Sequence, residues 1–379
     1  MSELASYSIQ AIFFALVAVV VVSRSKKTDL YQFALISIWL IGVIVIYARY
    51  KDGQVLFYSN DQLFHQQVID YYIPVDGIQL SATIGLRYLL TVPVYLISLL
   101  GFNAMLIIKF FQLCALLLVY NKARSLAKSY GLKMAYLQIP LFAGPLPIFM
   151  SLLGLRDVIL AYLTLISIFP SNSKFRFISI IATGLLRPHL AVALIFGIAL
   201  ESIFERIKSK FQVLAIALVL IVSYAAGAIG FALGNYATNG GDFYFPTTIF
   251  SIEYISRLAL NILGLQFLVL DGASAGVVAS STVFLLLSRL LFIETFLAPS
   301  VFFYFFLRQN SSLKRESLQV SIAMFFFLGL VFQNAVSTNS TRQNLPFITV
   351  MGLIAFMQLS EHINVRRVFF YKSNTLAPG

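Results

Sequence analysis

Two short charged segments interrupt some of the most apolar sequence of the chain, and their residue types suit the binding of a phosphate group. Arg156 and Asp157 stand together in Gly-Leu-Arg-Asp-Val-Ile-Leu, and Arg187 and His189 flank a proline in Leu-Leu-Arg-Pro-His-Leu. A charge in such a segment costs roughly 2.5–3.5 kcal/mol on insertion scales, so it tends to mark a functional, water-lined cavity. Arginine makes bidentate bonds to phosphate oxygens. A histidine beside it titrates near neutral pH and is a candidate general base.

Two polar segments elsewhere add candidates for the same site. Tyr-Ser-Asn-Asp-Gln-Leu-Phe-His contains Asp61 and His65. A carboxylate such as Asp61 suits proton abstraction from a substrate hydroxyl, or the binding of a metal ion. Residues 337–344 contribute Arg342, and Arg87 is a further supporting cation. Three arginines from separate segments would suit a diphosphate, whose charge needs several donors in a site of low dielectric constant.

Each candidate also has a simpler structural interpretation. Asp61 follows Ser-Asn and would serve as the N-cap of a helix. Arg156 and Asp157 would pair with each other and hold a helix end in place. Arg187 would cap backbone carbonyl groups at a turn, and Arg342 would be a solvated loop charge. The residue types alone leave these alternatives open.

The composition indicates the class of protein that positions these residues. Of the 379 residues, 59% are hydrophobic and only 11% are charged, and the mean hydropathy is +0.88. Long runs rich in Leu, Ile, Phe and Ala are typical of membrane-spanning helices and lack the alternation of a membrane barrel. There is no P-loop, dinucleotide fingerprint, zinc-protease motif or nucleophile elbow, so a nucleotide-driven machine is not expected.

The net charge of +12 is distributed in a way that favours a membrane over nucleic acid. Of the 27 Lys and Arg residues, 18 lie in six short clusters between apolar runs. The positive-inside rule assigns all six to the cytoplasm. The clusters span 24–27, 122–133, 174–176, 206–210, 308–315 and 366–372.

Placing all six clusters on one side determines most of the topology, because an even number of crossings must separate any two of them. Residues 49–101 are then one long extracytoplasmic loop with helices at the membrane surface, and 235–250 and 337–344 are further outer loops. The segment before residue 206 must turn back, and a break at Arg187-Pro188 would give two short re-entrant half-helices. The stretch 248–307 holds one span or three.

We therefore predict an all-α, polytopic integral membrane protein, a single transmembrane domain over 1–379 with roughly ten to thirteen transmembrane helices. Its C-terminus is cytoplasmic. All the unusual charges fall on the outer side, so they can belong to one site.

This layout resembles two related groups of membrane glycan enzymes. An acidic residue in a long first outer loop, surface helices and a Gly-Phe-Asn start to the next helix, at 101–103, resemble the GT-C superfamily of polyprenyl-linked glycosyltransferases. Leu-Arg-Asp at 155–157, Leu-Leu-Arg-Pro at 185–188 and Arg-x-x-x-Pro at 342–346 resemble Wzy-type O-antigen and oligosaccharide repeat-unit polymerases. The resemblance implies a GT-C-like fold in a bacterial inner membrane, with the active site facing the periplasm.

The resemblance also implies a reaction and roles for the candidate residues. Arg156, Arg187 and Arg342 would bind the undecaprenyl diphosphate of the donor glycan, and His189 or Asp61 would position or deprotonate the acceptor. Asp157, His65 and Arg87 would support them, with no metal and no cofactor.

The resemblance implies partners as well: the lipid bilayer, the lipid-linked donor and acceptor, a flippase and a chain-length regulator, but no nucleic acid. Two alternatives stay open. One is a GT-C transferase that adds single sugars from a polyprenyl monophosphate, and the other is a lipid-linked oligosaccharide flippase or transporter, although the chain has no convincing internal repeat.

Overall fold

The computed structural model describes most of the chain as helices. The described residues are 2–25, 30–51, 85–130, 145–153, 156–238, 293–308, 313–332 and 344–374, with the isolated residues 69, 256, 259 and 262. Within these ranges there is no strand, so the all-α prediction is confirmed for them.

Twelve helices lie in the described ranges and are numbered in chain order. They are α1 (Glu3–Ser25), α2 (Leu30–Lys51), α3 (Gly85–Ser98), α4 (Ala104–Ser129), α5 (Pro145–Leu153), α6 (Asp157–Ile168), α7 (Ser173–Leu186), α8 (Pro188–Arg206), α9 (Ser209–Thr238), α10 (Ile293–Arg308), α11 (Lys314–Phe332) and α12 (Leu345–Asn374).

Six of these helices are long and apolar enough to cross a membrane, namely α1, α2, α4, α8, α9 and α12. Helix α12 forms part of the core, since 78% of its apolar span is buried, whereas only 17% of the α9 span is buried. The outer helices therefore expose wide surfaces of Leu, Ile, Val and Phe. Such surfaces are unfavourable in water and suit hydrocarbon, so the fold is consistent with a multi-pass membrane protein.

The predicted break at Arg187-Pro188 is present. Helix α7 ends at Leu186, Arg187 is extended with φ −155° and ψ 90°, and Pro188 is the first residue of α8. Proline disfavours a helical residue before it but fits the first helical position, where its missing N–H is not needed. The prediction of two short half-helices is wrong for α8, which has 19 residues and is long and apolar enough to cross a membrane. Helix α7 is shorter, with 14 residues.

The centre of the fold is a close packing of α11 against α8 and α9. A methyl group at Gly197 of α8 would lie 2.5 Å from the Gln319 carbonyl oxygen and 2.8 Å from the Ala323 side chain of α11. On the other side of α11, a methyl group at Gly329 would collide with Ser223 of α9. Small residues let helix backbones approach closely where no hydrophobic effect drives association, as in lipid.

Part of the predicted outer loop 49–101 is helical. Within it α3 carries Pro93 and packs against α4 and α7. Its following turn reaches Asn103, whose side chain accepts the Leu106 N–H and caps α4. The Asn103 N–H donates to Gln10 of α1, which fixes the start of α4 beside α1. The predicted loop 235–250 begins within α9, which continues to Thr238. Residues 52–68, 70–84 and 239–250, and all of the predicted loop 337–344 except Asn344, lie outside the described residues.

Candidate functional site

Arg187 and Asp157 form a buried ion pair between two helix starts. Nη2 of Arg187 donates to Oδ1 of Asp157 at 3.1 Å, and the two side chains are 9% and 0% exposed. Asp157 is the first residue of α6, and Arg187 immediately precedes α8. The pair therefore brings the N-termini of α6 and α8 together, and helix N-termini favour anions because their N–H groups are free of intrahelical partners.

Arg156 makes the reciprocal contact at the same place. Its Nη1 donates to the carbonyl oxygen of Leu186 at 2.7 Å, in the last turn of α7. The last carbonyl groups of a helix lack intrahelical partners and carry partial negative charge, so a guanidinium stabilises them. Arg156 and Asp157 thus bind Leu186 and Arg187, and each partner lies 30 positions later in the chain. We call the region formed by Arg156, Asp157, Leu186, Arg187 and His189 the break end.

The contacts at the break end join the two charged segments that the sequence singled out. Asp157 forms an ion pair with Arg187, a partner that the sequence interpretation had not named. Arg156 also caps a backbone carbonyl group, that of Leu186. His189 is exposed in the first turn of α8, two residues after Arg187. An exposed imidazole there is accessible to a substrate that approaches the break.

The other predicted site residues are not placed against the break end. Asp61, His65 and Arg342 lie outside the described residues. Arg87 belongs to α3, of which only the backbone is described at that position, and α3 packs against α7. Their participation in a common site stays a prediction.

A second polar region lies at the opposite end of the same helices. A cavity of about 280 Å³ is lined by three cationic side chains from separate helices, Lys122 of α4, Arg176 of α7 and Arg315 of α11. Ile168, the last residue of α6, also lines it, whereas the first residue of α6 belongs to the break end. At 1.5 Å per residue these two ends are about 17 Å apart. We call the cavity region the basic end.

The separation of the two ends agrees with the charge pattern of the sequence. Lys122, Arg176 and Arg315 come from three of the six basic clusters that were predicted to share one side. The structure brings them to one cavity and leaves Arg156, Asp157 and Arg187 at the other end of α6. The assignment of the basic end to the cytoplasm stays a prediction.

A buried carboxylate next to this cavity was not singled out from the sequence. Glu201 of α8 is 3% exposed, and its Oε1 accepts from Nε of Arg315 at 2.8 Å. Its second oxygen, Oε2, accepts from the amide of Gln319. The interaction raises the pKa of the Arg315 guanidinium, chiefly through the hydrogen bond to Glu201. The signal was present, since Glu201 is the first charge after the apolar run that begins at Leu190.

Lys109 is a second missed charge. It lies in the second turn of α4 and is 4% exposed, and no carboxylate pairs with it among the described residues. One turn later, both amide atoms of Gln112 are buried without a hydrogen-bond partner in the described structure. An ionisable group inside an apolar helix is unusual enough to be a site candidate by itself. The interruption of Ala-Met-Leu-Ile-Ile-Lys-Phe-Phe would have identified it.

The described residues contain no group of three His, Cys, Asp or Glu side chains that could hold a metal ion. Comparison of the chain with protein-family models, with curated proteins and with solved structures finds no match. The class of protein therefore rests on the helices: an all-helical chain, over its described part, with six candidate membrane spans.

Proposed function

We propose that this protein polymerises lipid-linked oligosaccharide repeat units at its break end. The main supporting observation is that the buried Arg187–Asp157 pair joins the N-termini of α6 and α8. The exposed His189 follows Arg187 by two residues. Oriented N–H groups and a fixed guanidinium form a preorganised environment for a diphosphate. The resemblance of the surrounding segments to Wzy-type polymerases supports the same substrate class.

In the proposed reaction, a hydroxyl oxygen of the acceptor glycan attacks the anomeric carbon of the donor glycan. The bond from that carbon to the diphosphate oxygen breaks, undecaprenyl diphosphate leaves, and the hydroxyl proton passes to His189 or Asp61. Arg156, Arg187 and Arg342 stabilise the charge that develops on the leaving diphosphate. Direct attack inverts the anomeric configuration.

The test is complementation of a strain from which the gene has been deleted, with surface glycans separated by gel electrophoresis. We expect the deletion to remove the ladder of long chains and leave single repeats on lipid, and the wild-type gene to restore the ladder. His189→Ala should accumulate at a normal protein level, because the exposed imidazole contributes little to folding. It should fail to restore the ladder if His189 is the base, and a restored ladder would assign the base to Asp61. Val192→Ala, one turn further along α8 and also exposed, is the matched control and should restore the ladder.

Other outcomes of the same experiment would identify a different protein. Products that increase by single sugars would identify a transferase of the GT-C type. Complete single repeats retained on the cytoplasmic side would identify a flippase. A normal ladder in the deletion strain would refute the proposed polymerase.

A further inference from the structure

We propose that the cavity at the basic end binds a phosphate-bearing anion, either a lipid headgroup or a soluble phosphate compound, between Lys122, Arg176 and Arg315. The break end is about 17 Å away at the other end of α6. The proposal is therefore independent of the polymerase function, and a negative result at one end leaves the other unaffected.

The charges of the cavity favour an anion. Three cations line it against one carboxylate, Glu316. Arg315 is already paired with Glu201, which leaves Lys122 and Arg176 as the cations that no described carboxylate pairs with. Burial, and then the nearby Arg315, lower the pKa of the Arg176 guanidinium, while the charges of Glu201 and Glu316 act in the opposite direction. Cations that repel one another in a partly desolvated site are stabilised by an anion placed between them.

The cationic side chains are held in position by neighbouring polar groups. Nε of Arg176 donates to the Ser167 carbonyl oxygen at 3.1 Å, so the guanidinium bridges α7 and the end of α6. Nζ of Lys122 lies 3.5 Å from the Ser171 hydroxyl oxygen. These bonds use one donor of each cation, and a guanidinium has five N–H donors while an ammonium has three. The remaining donors suit the several oxygens of a phosphate group.

The size and surroundings of the cavity fit a lipid headgroup. The cavity volume of about 280 Å³ is several times the roughly 30 Å³ that one water molecule occupies. The cavity can therefore hold a phosphate group with its ester substituents. Leu126, Ile168, Phe169 and Pro170 also line the cavity, so an apolar surface adjoins its cations. Basic pockets between membrane helices on the cytoplasmic side are known to accommodate anionic headgroups.

The experiment measures thermal unfolding of the purified full-length protein in detergent during three titrations. The titrants are phosphatidylglycerol, phosphatidylcholine and inorganic phosphate, and the rise of the midpoint with concentration gives an apparent dissociation constant. Lys122→Gln should weaken the binding of the anion about fivefold, the effect of removing one basic residue near an anionic headgroup. Lys174→Gln, an exposed neighbour of Arg176 outside the cavity, is the matched control and should leave binding unchanged.

Glu316→Gln gives a test that a folding defect cannot imitate. Removal of the only carboxylate among the lining residues should tighten binding about fivefold. If only phosphatidylglycerol stabilises the protein, and Lys122→Gln and Glu316→Gln change its apparent dissociation constant, the ligand is a lipid headgroup. If inorganic phosphate gives the same response, the ligand is a soluble phosphate compound. Stabilisation by neither anion, or an equal response in all variants and with phosphatidylcholine, would overturn the proposal.

Discussion

The Arg187–Asp157 pair predicts a strong energetic coupling between two residues that are 30 positions apart. The perturbation is a double-mutant cycle of Asp157→Asn and Arg187→Met. Asp157 is fully buried and Arg187 nearly so, at an N–O distance of 3.1 Å. Removing one partner of a buried pair leaves the other charge uncompensated and costs about 3–5 kcal/mol. Removing both charges costs much less, since no uncompensated ion remains.

The expected numbers follow from this difference. Each single variant should lose about 3–5 kcal/mol and the double variant about 2 kcal/mol, so the coupling energy should be about 4 kcal/mol or more. The measurement is unfolding by sodium dodecyl sulfate in mixed micelles, followed by tryptophan fluorescence or circular dichroism. Losses that add within about 0.5 kcal/mol would refute the contact, because independent sites behave in that way.

The Glu201–Arg315 pair provides an internal comparison for the cycle. It joins the same two kinds of ion at 2.8 Å, but the Arg315 side chain is 60% exposed. Solvent screens such a pair, and exposed pairs contribute about 0.2–1 kcal/mol. Glu201→Gln with Arg315→Met should therefore show a smaller coupling energy than the pair at the break end. A larger coupling here would contradict the argument from burial.

Three further predictions concern stability, each measured by unfolding of the purified protein. Gly197→Ala should destabilise the fold through the contact with α11, whereas Gly230→Ala, where the methyl group meets nothing within 4 Å, should be neutral or stabilising; equal effects would contradict the close approach. Lys109→Met should stabilise the protein, since a buried amine with no described carboxylate partner is costly, and a loss of stability would show that the amine makes a favourable interaction. Burial raises the pKa of Glu316, so its ionised form disfavours folding. Glu316→Gln should then stabilise at pH 7, and the gain should disappear below about pH 4, where the carboxyl is protonated in both folded and unfolded chains; a gain that persists in acid would refute the electrostatic cause.

The elements were more predictable than the pairs of side chains. Hydropathy predicted an all-α membrane protein, and the clustering of basic residues placed the clusters of Lys122, Arg176 and Arg315 on one side, where these three residues line one cavity. Proline chemistry predicted the break at Arg187. These signals are local, since each depends on composition or on one residue and its neighbour. The length of α8 was misjudged because the requirement for an even number of crossings gives no information on how deep a helix extends.

The partners could not be predicted because they depend on tertiary packing. The adjacency of Arg156 and Asp157 in the sequence favours a pair between them, but successive helical residues point about 100° apart. The bonds that the structure shows for them reach Leu186 and Arg187, which the packing of α6 against α7 and α8 brings near. Lys109 was overlooked for a related reason. A single charge without a proline or a second charge beside it gives a weaker pattern, although its burial makes it equally unusual.

The ion pair changes how the function of Arg187 must be tested. Arg187→Ala removes a proposed phosphate ligand, but it also leaves the fully buried carboxylate of Asp157 without its guanidinium. A loss of long glycan chains in that variant would therefore mix a folding defect of several kcal/mol with a loss of substrate binding. The double variant of Asp157→Asn with Arg187→Met separates the two, because it restores most of the stability and still lacks the cation. If the double variant accumulates normally and makes no long chains, the charged groups of the pair act on the substrate, and a normal ladder from Asp157→Asn alone would assign that role to Arg187. If the double variant makes long chains, the pair serves only to join α6 to α8.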